Sequence, residues 1–212
     1  MAVMRKAPQR ARRHPQTPKA PAYRTLDDLS IPPLACVNCF APVEGARVFC
    51  DQRCTDEASY VRYARRNRNT TLDDVLQALK VRQAHALAGG YDKAERGISS
   101  SKRRTVIEQD HAKCRQCGAP GTDVDHINGS SNALTNLQWL CKACHNAKTD
   151  ASIISITEGT HPEEWARAQL LHRRVTAAVP LQLCDSDEWV TAHKELLRRR
   201  RQLLPGATPT LF

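Results

Sequence analysis

Eight of the nine cysteines in this 212-residue chain fall into four tight pairs. They read Cys36-x2-Cys39, Cys50-x3-Cys54, Cys114-x2-Cys117 and Cys141-x2-Cys144. Two sulfurs so close in sequence grip one ion from a single tight turn. Two such turns complete a tetrahedron, the arrangement Zn2+ accepts without a geometric preference of its own. A redox CxxC needs one pair and a thioredoxin-like βαβ setting, and neither is present. Disulfides belong to oxidising compartments, but the N-terminus has no apolar stretch of a secretory signal. Two structural zinc ions are therefore expected, one on Cys36, Cys39, Cys50 and Cys54, the other on Cys114, Cys117, Cys141 and Cys144. Each unit should need its metal to fold, because ligand convergence replaces a core too small to stand alone. Cys184 has no partner and reads as a small buried hydrophobe.

The cysteine units sit in a basic chain. Its formal charge is +10, its pI is near 9.4, and only 5% of its residues are aromatic. The charge points to a polyanion, and the scarcity of aromatics argues against a stacking platform for single strands. Much of the charge is local. Residues 1–24 hold seven Lys/Arg, four Pro and no acid, the composition of a disordered basic arm. Its prolines would break the helix of a mitochondrial presequence. Arg198–Arg201 form a second basic run. No apolar run reaches the length of a membrane span. The expected location is the cytoplasm, with no membrane and no small-molecule cofactor.

Local signals divide the rest. Residues 25–68 hold the first four cysteines, with Pro42 and Gly45 suited to a short hairpin, then a basic helix with Thr55 as its cap. The Phe49-Cys50-x3-Cys54 piece resembles the second knuckle of small bacterial zinc fingers. Residues 71–88 repeat Leu72, Val75, Leu76, Leu79 and Ala86 at helical spacing. Thr71 and Asp74 make a capping-box-like start and Gly89-Gly90 a stop. Ser99–Ser101 read as linker. After the second cysteine unit, Thr160–Glu163 and Asp185–Glu188 each start a helix, with Pro180 between them. The expected division is 1–24 arm, 25–68 zinc finger, 69–100 helix and linker, 101–155 second zinc unit, 156–212 C-terminal helices. No internal repeat is evident beyond the doubled cysteine pairs.

The interval between Cys117 and Cys141 carries chemistry. Val124 to Ile127 is strand-like, Asn128-Gly129 turns the chain, and Leu137 to Leu140 gives a second strand. Residues 142–150 suit a short helix with His145, Lys148 and Thr149 on one face. Asp125 and His145 can then approach each other. A carboxylate and an imidazole can hold a divalent ion that keeps open positions for water and phosphate. His126 can take a proton from water near neutral pH. Neighbours on a strand point to opposite faces, so Asp125 and His126 cannot both face an ion from an ideal strand. An irregularity is expected at 125–127: the strand ends or bulges there, or His126 reaches around its edge.

These stretches together resemble an HNH endonuclease, the ββα-metal fold in its four-cysteine version. The resemblance rests on Arg103 to Gly118, Asp125-His126-Ile127, Asn136 to Cys141, and Cys144-His145-Asn146-Ala147-Lys148-Thr149, about a quarter of the chain. It implies a small zinc-stabilised α+β protein, treble-clef-like at its nuclease core, with an N-terminal zinc finger and flanking helices. It implies a metal-dependent endonuclease of double-stranded DNA, bacterial or from a bacteriophage, leaving 5′ phosphate and 3′ hydroxyl. His126 matches the first H and would be the general base. Asn136 matches the N and would orient the loop that bears the base. Asp125 and His145 would hold the catalytic ion, Mg2+ or another divalent such as Mn2+, Ni2+ or Zn2+. Lys148, Arg103 and Arg104 would meet phosphates. The stretch from His126 to Asn136 is shorter than in most relatives and lacks the Pro that often follows DHI, so Asn132 stays open as the alternative to Asn136.

Blander readings stand beside these. His145 follows Cys144 and could complete the zinc site instead. Lys142 and Lys148 could be merely solvated, and His85, His111, His161, His172 and His193 sit in helix-like contexts. The main rival is a non-cleaving, zinc-dependent nucleic-acid-binding protein, which gives no reason for Asp125, His126, Asn136 and His145 to occur together. A third reading makes the C-terminal helices, with Trp165 and Trp189, a partner-docking module; ordinary core is the simpler account of both. Target site, nicking versus double-strand cleavage, and oligomeric state are not written in the sequence.

Overall fold

The computed structural model describes residues 32–88 and 97–204. The basic arm at 1–24 and the Gly89-Gly90 stop lie outside them. The first cysteine unit opens on a knuckle. Cys36 N–H donates to Ala41 O at 2.7 Å, Phe40 N–H to Cys36 O at 2.8 Å, and Ala35 bridges Pro42. The second unit repeats it: Cys114 N–H to Ala119 O at 2.6 Å, Gly118 N–H to Cys114 O at 2.8 Å, and Lys113 bridging Pro120. Both read C-x-x-C-x-A-P, an internal repeat longer than the cysteine pairs alone. The residue after the second cysteine takes positive φ in each, 62° at Phe40 and 76° at Gly118. Gly adopts this freely; Phe40 holds it against a steric cost.

In each unit the second cysteine pair flanks a helix start. Helix α1 (Gln52–Arg66) follows Cys50 and contains Cys54. Its cap is Asp51, which accepts from Cys54 N–H at 2.7 Å; Thr55 lies inside the first turn instead of capping. Asp51 wins because its carboxylate reaches the free N–H groups that Thr55, one turn later, does not face. Helix α2 (Asp73–Ala88) then packs on α1. Thr70, not Thr71, accepts from Leu72 N–H at its approach.

The stretch read as a linker is the start of a helix. Ser99 caps α3 (Ser100–Gln109) by accepting from Lys102 N–H at 3.3 Å. A serine run marks a cap as readily as a linker, since the same hydroxyl serves both. Strands β1 (Asp123–His126) and β2 (Leu137–Leu140) form a two-stranded antiparallel sheet, with Asp125 opposite Gln138 and His126 opposite Leu137. Helix α4 (Lys142–Ser152) crosses it, with Cys141 as N-cap and Cys144 in the first turn. A small core of Val106, Leu137 and Trp139 joins α3 to the sheet. Gly121 lies so close to the Trp139 indole that any side chain there would collide with it.

Helices α5 (Pro162–Val175) and α6 (Trp189–Gln202) return to the N-terminal unit. Val37, Val48 and Ala58 of the first unit share a core with Leu183, Cys184, Trp189 and Ala192. Cys184 is fully buried, as a small hydrophobe would be. Val61 of α1 and Ala86 of α2 pack with Ala168 and Leu171 of α5. Trp189 belongs to this core, and Trp165 is half-buried.

A buried polar network ties the two ends together. Arg174 grips Asp185 with two hydrogen bonds, 2.7 and 2.8 Å, and donates to Asn38 Oδ1 at 2.9 Å. Asn38 sits inside the first knuckle, so the network reaches the metal-type cluster itself. Burial opposes the charge of Arg174, but the Asp185 bonds outweigh it and its pKa is raised. The run Arg198–Arg201 is no uniform basic patch. Arg200 is 1% exposed and donates to the carbonyls of Arg47 and Ala35, while Arg198 and Arg199 pair with Glu195.

Candidate active site

Two four-cysteine clusters are formed, Cys36/Cys39/Cys50/Cys54 and Cys114/Cys117/Cys141/Cys144, with all sulfurs of each within 4.8 Å of one another. The sulfur separations are 3.5 Å for Cys39–Cys50 and Cys50–Cys54, and 3.7 Å for Cys117–Cys141. A tetrahedron with zinc–sulfur bonds of about 2.3 Å has edges of about 3.8 Å, so both sites fit zinc. The thiols also interfere as such a site requires. A hydrogen bond from Cys54 holds Cys36 down to about 4 and pushes Cys54 itself far up. Burial takes Cys50 to about 12. In the second cluster burial opposes ionisation of Cys114, yet the backbone N–H groups of Cys141 and Cys117 bring it to about 6; hydrogen bonding with Cys117 takes Cys144 to about 12. Four thiolates at this spacing coexist only around a cation. Because Cys144 joins the sulfur tetrahedron, His145 is left over for other work.

One turn of α4 faces β1. Alternation along the strand puts Asp123 and Asp125 on the α4 side. His145 stands between them: its Nε2 is 3.7 Å from Asp125 Oδ1 and its Nδ1 is 3.7 Å from Asp123 Oδ2. The Nδ1 atom is buried and makes no hydrogen bond. Asp123 was not singled out from sequence, although the i, i+2 pattern Asp123-Val-Asp125 places both acids on one face of a strand. The other Asp125 oxygen, Oδ2, accepts from Lys148 Nζ at 2.5 Å and from Gln138 Nε2 at 3.2 Å. Lys148 also donates to the carbonyl of His126. Its ammonium thus rests on the site's own carboxylate, where the sequence suggested a phosphate contact. Oδ1 of Asp125 and Nε2 of His145 remain as a donor pair that one divalent ion can share.

His126 is the last residue of β1. The ladder is regular through His126 and has no bulge; the strand simply ends there. The His126 Nε2 lies 2.8 Å from Asn132 Oδ1. Asp125 and His126 nevertheless line one cleft of about 720 Å3, whose far wall is α1 and α2 with Asp56, Gln77 and Arg82. Asn136 braces the loop. Its amide donates to the carbonyls of Asn128 at 2.7 Å and Ser131 at 2.8 Å, and its Oδ1 accepts from Asn128 N–H at 2.9 Å. Gly129, at φ 58°, makes the turn between. Asn132 and Asn136 therefore have different partners, one the ring of His126 and the other the loop backbone. Arg103 and Arg104 lie exposed on α3. Among the described residues, no helix is long and apolar enough to cross a membrane.

Residues 114–151 match the family model described as HNH endonuclease. The match covers less than a fifth of the chain. No curated protein and no solved structure matches the chain. The segment 114–151 thus carries the HNH endonuclease signature on one four-cysteine cluster, with a second such cluster nearer the N-terminus.

Proposed function

We propose that the protein is a metal-dependent endonuclease that hydrolyses phosphodiester bonds of double-stranded DNA. The single observation that carries this reading is the convergence, in one cleft, of Asp125, His145 and His126. His126 takes a proton from water, whose oxygen bonds to phosphorus as the bond to the 3′ oxygen breaks. Asp125 and His145 would hold the divalent ion, Mg2+ or a softer one given the imidazole. Bound there, such an ion neutralises charge growing on the phosphate and the leaving oxygen. Asn136 keeps the loop that follows His126 in place. Asp123 faces the Nδ1 side of His145 at 3.7 Å and adds negative charge beside the pair of ion ligands. Arg103 and Arg104 reach phosphates away from the scissile bond. On this reading the protein works in the cytoplasm of a bacterial cell or a phage-infected host.

A plasmid-nicking assay with and without added Mg2+ or Mn2+ tests this. Wild type should convert supercoiled DNA to relaxed or linear forms only with added ion. The His126→Ala variant should bind DNA and leave it intact. One observation favours the rival, a zinc protein that binds nucleic acid without cutting it: Lys148 already neutralises Asp125. Retarded but uncut plasmid at every metal concentration would select that rival.

A further inference from the structure

We infer that Asn132 is the positioning residue for His126, fixing the ring in the tautomer that carries its proton on Nε2 and leaves Nδ1 to accept one from water. The inference rests on the reading of His126 as the general base.

The geometry gives each atom one role. Asn132 Nδ2 lies 3.3 Å from the carbonyl oxygen of Gly97. A carbonyl only accepts, so the amide nitrogen faces it and cannot be exchanged with the amide oxygen. That leaves Asn132 Oδ1 toward the imidazole, 2.8 Å from His126 Nε2. Oδ1 also only accepts, so Nε2 must donate. A neutral imidazole has a single N–H; once Nε2 holds it, the lone pair is on Nδ1. The amide therefore selects which nitrogen is the base before any substrate arrives.

Asn132 is itself held. Lys102 Nζ donates to its backbone carbonyl at 2.6 Å, tying the loop to α3. Asn136 holds the neighbouring Ser131 carbonyl at 2.8 Å. The short loop from His126 to Asn136 brings the two asparagines to one side chain and one backbone. Asn136 sets where the loop runs, and Asn132 sets the orientation and tautomer of the ring. The ring's partner sits in a loop tied to Gly97 and to Lys102 of α3, so this support is separate from Asp125 and His145.

The test uses the full-length, zinc-loaded protein with 15N-labelled histidine. Long-range proton–nitrogen correlation spectra at neutral pH distinguish a protonated from an unprotonated ring nitrogen. Wild type should show His126 with Nε2 protonated and Nδ1 bare. In Asn132→Ala the two nitrogen shifts should move toward the average of both tautomers. Its kcat should fall by about 10–100-fold, as when a metal-bound imidazole loses its outer partner, with KM little changed. Asn132→Asp loses the donor to the Gly97 carbonyl but keeps an acceptor for Nε2, and should retain a protonated Nε2. A wild-type His126 protonated on Nδ1 would overturn the inference, as would an Asn132→Ala protein with unchanged ring shifts and unchanged kcat. The spectrum is read without DNA, so a protein with the expected tautomer that cuts nothing contradicts the proposed function while upholding the tautomer.

Discussion

Asp125 and His145 face each other across the gap between β1 and α4, with Oδ1 of one 3.7 Å from Nε2 of the other. The opposite oxygen of Asp125 is held by Lys148 at 2.5 Å. A divalent ion on the first oxygen and an ammonium on the second repel each other. Lys148→Ala should therefore lower the Mn2+ concentration needed for half-maximal nicking by a few-fold, about what a nearby like charge contributes. An unchanged or higher requirement would mean that Lys148 orients Asp125 more than it opposes the ion.

Gly121 is the tightest point of the small core under the sheet. A Cβ there would lie well inside contact distance of Trp139 Cδ1 and Nε1. Trp139 is buried between Val106 and Leu137, with little room to yield. Gly121→Ala should destabilise this unit by about 1–3 kcal/mol, the range for overpacked cores. Thermal unfolding followed by Trp fluorescence measures it, and an unshifted melting temperature would show that the indole can swing aside.

The Arg174–Asp185 pair tests whether the chain ends fold together. Both side chains are buried, and Arg174 also holds Asn38 of the first knuckle. Arg174→Met leaves Asp185 buried without its partner and should cost about 3–5 kcal/mol. The double variant Arg174→Met/Asp185→Leu should recover much of that loss, because no charge is stranded. It should also regain any zinc the single variant sheds from the first cluster. Equal melting curves for wild type and the single variant would mean the network is decorative.

Zinc removal should act on both units. The second unit has Val106, Leu137 and Trp139 as its buried apolar cluster, too little to hold it without metal. Elemental analysis should give two zinc ions per chain. A strong chelator should abolish the helical CD of α3 and α4 together with nicking. A chelated protein with an unaltered CD spectrum would contradict the structural role of the metal.

Local patterns carried the second cysteine unit well. Strand β2 falls on the same four residues expected from the sequence, Leu137–Leu140, and α4 extends two residues past the expected 150. These elements are short and pinned by cysteines, so spacing alone fixes them. The clasp of Asp125 and His145 follows from that spacing too. The rest depends on contacts that no local pattern records. Arg200 looks like part of a basic run, yet its partners are the carbonyls of Ala35 and Arg47 at the other end of the chain. Asn132 and Asn136 look interchangeable until the loop closes and gives one the imidazole and the other the backbone. The Ala-Pro two residues after each first knuckle is legible in the sequence, but cysteine spacing alone does not include it.

Asp125 and His145 are expected to hold one divalent ion beside His126. Electron paramagnetic resonance of Mn2+ added to zinc-loaded protein counts that ion directly. Wild type should bind one Mn2+ per chain, and Asp125→Ala and His145→Ala should each lose it while keeping both zinc ions and the wild-type CD spectrum. Mn2+ bound equally well by both variants would place the ion elsewhere and contradict the account.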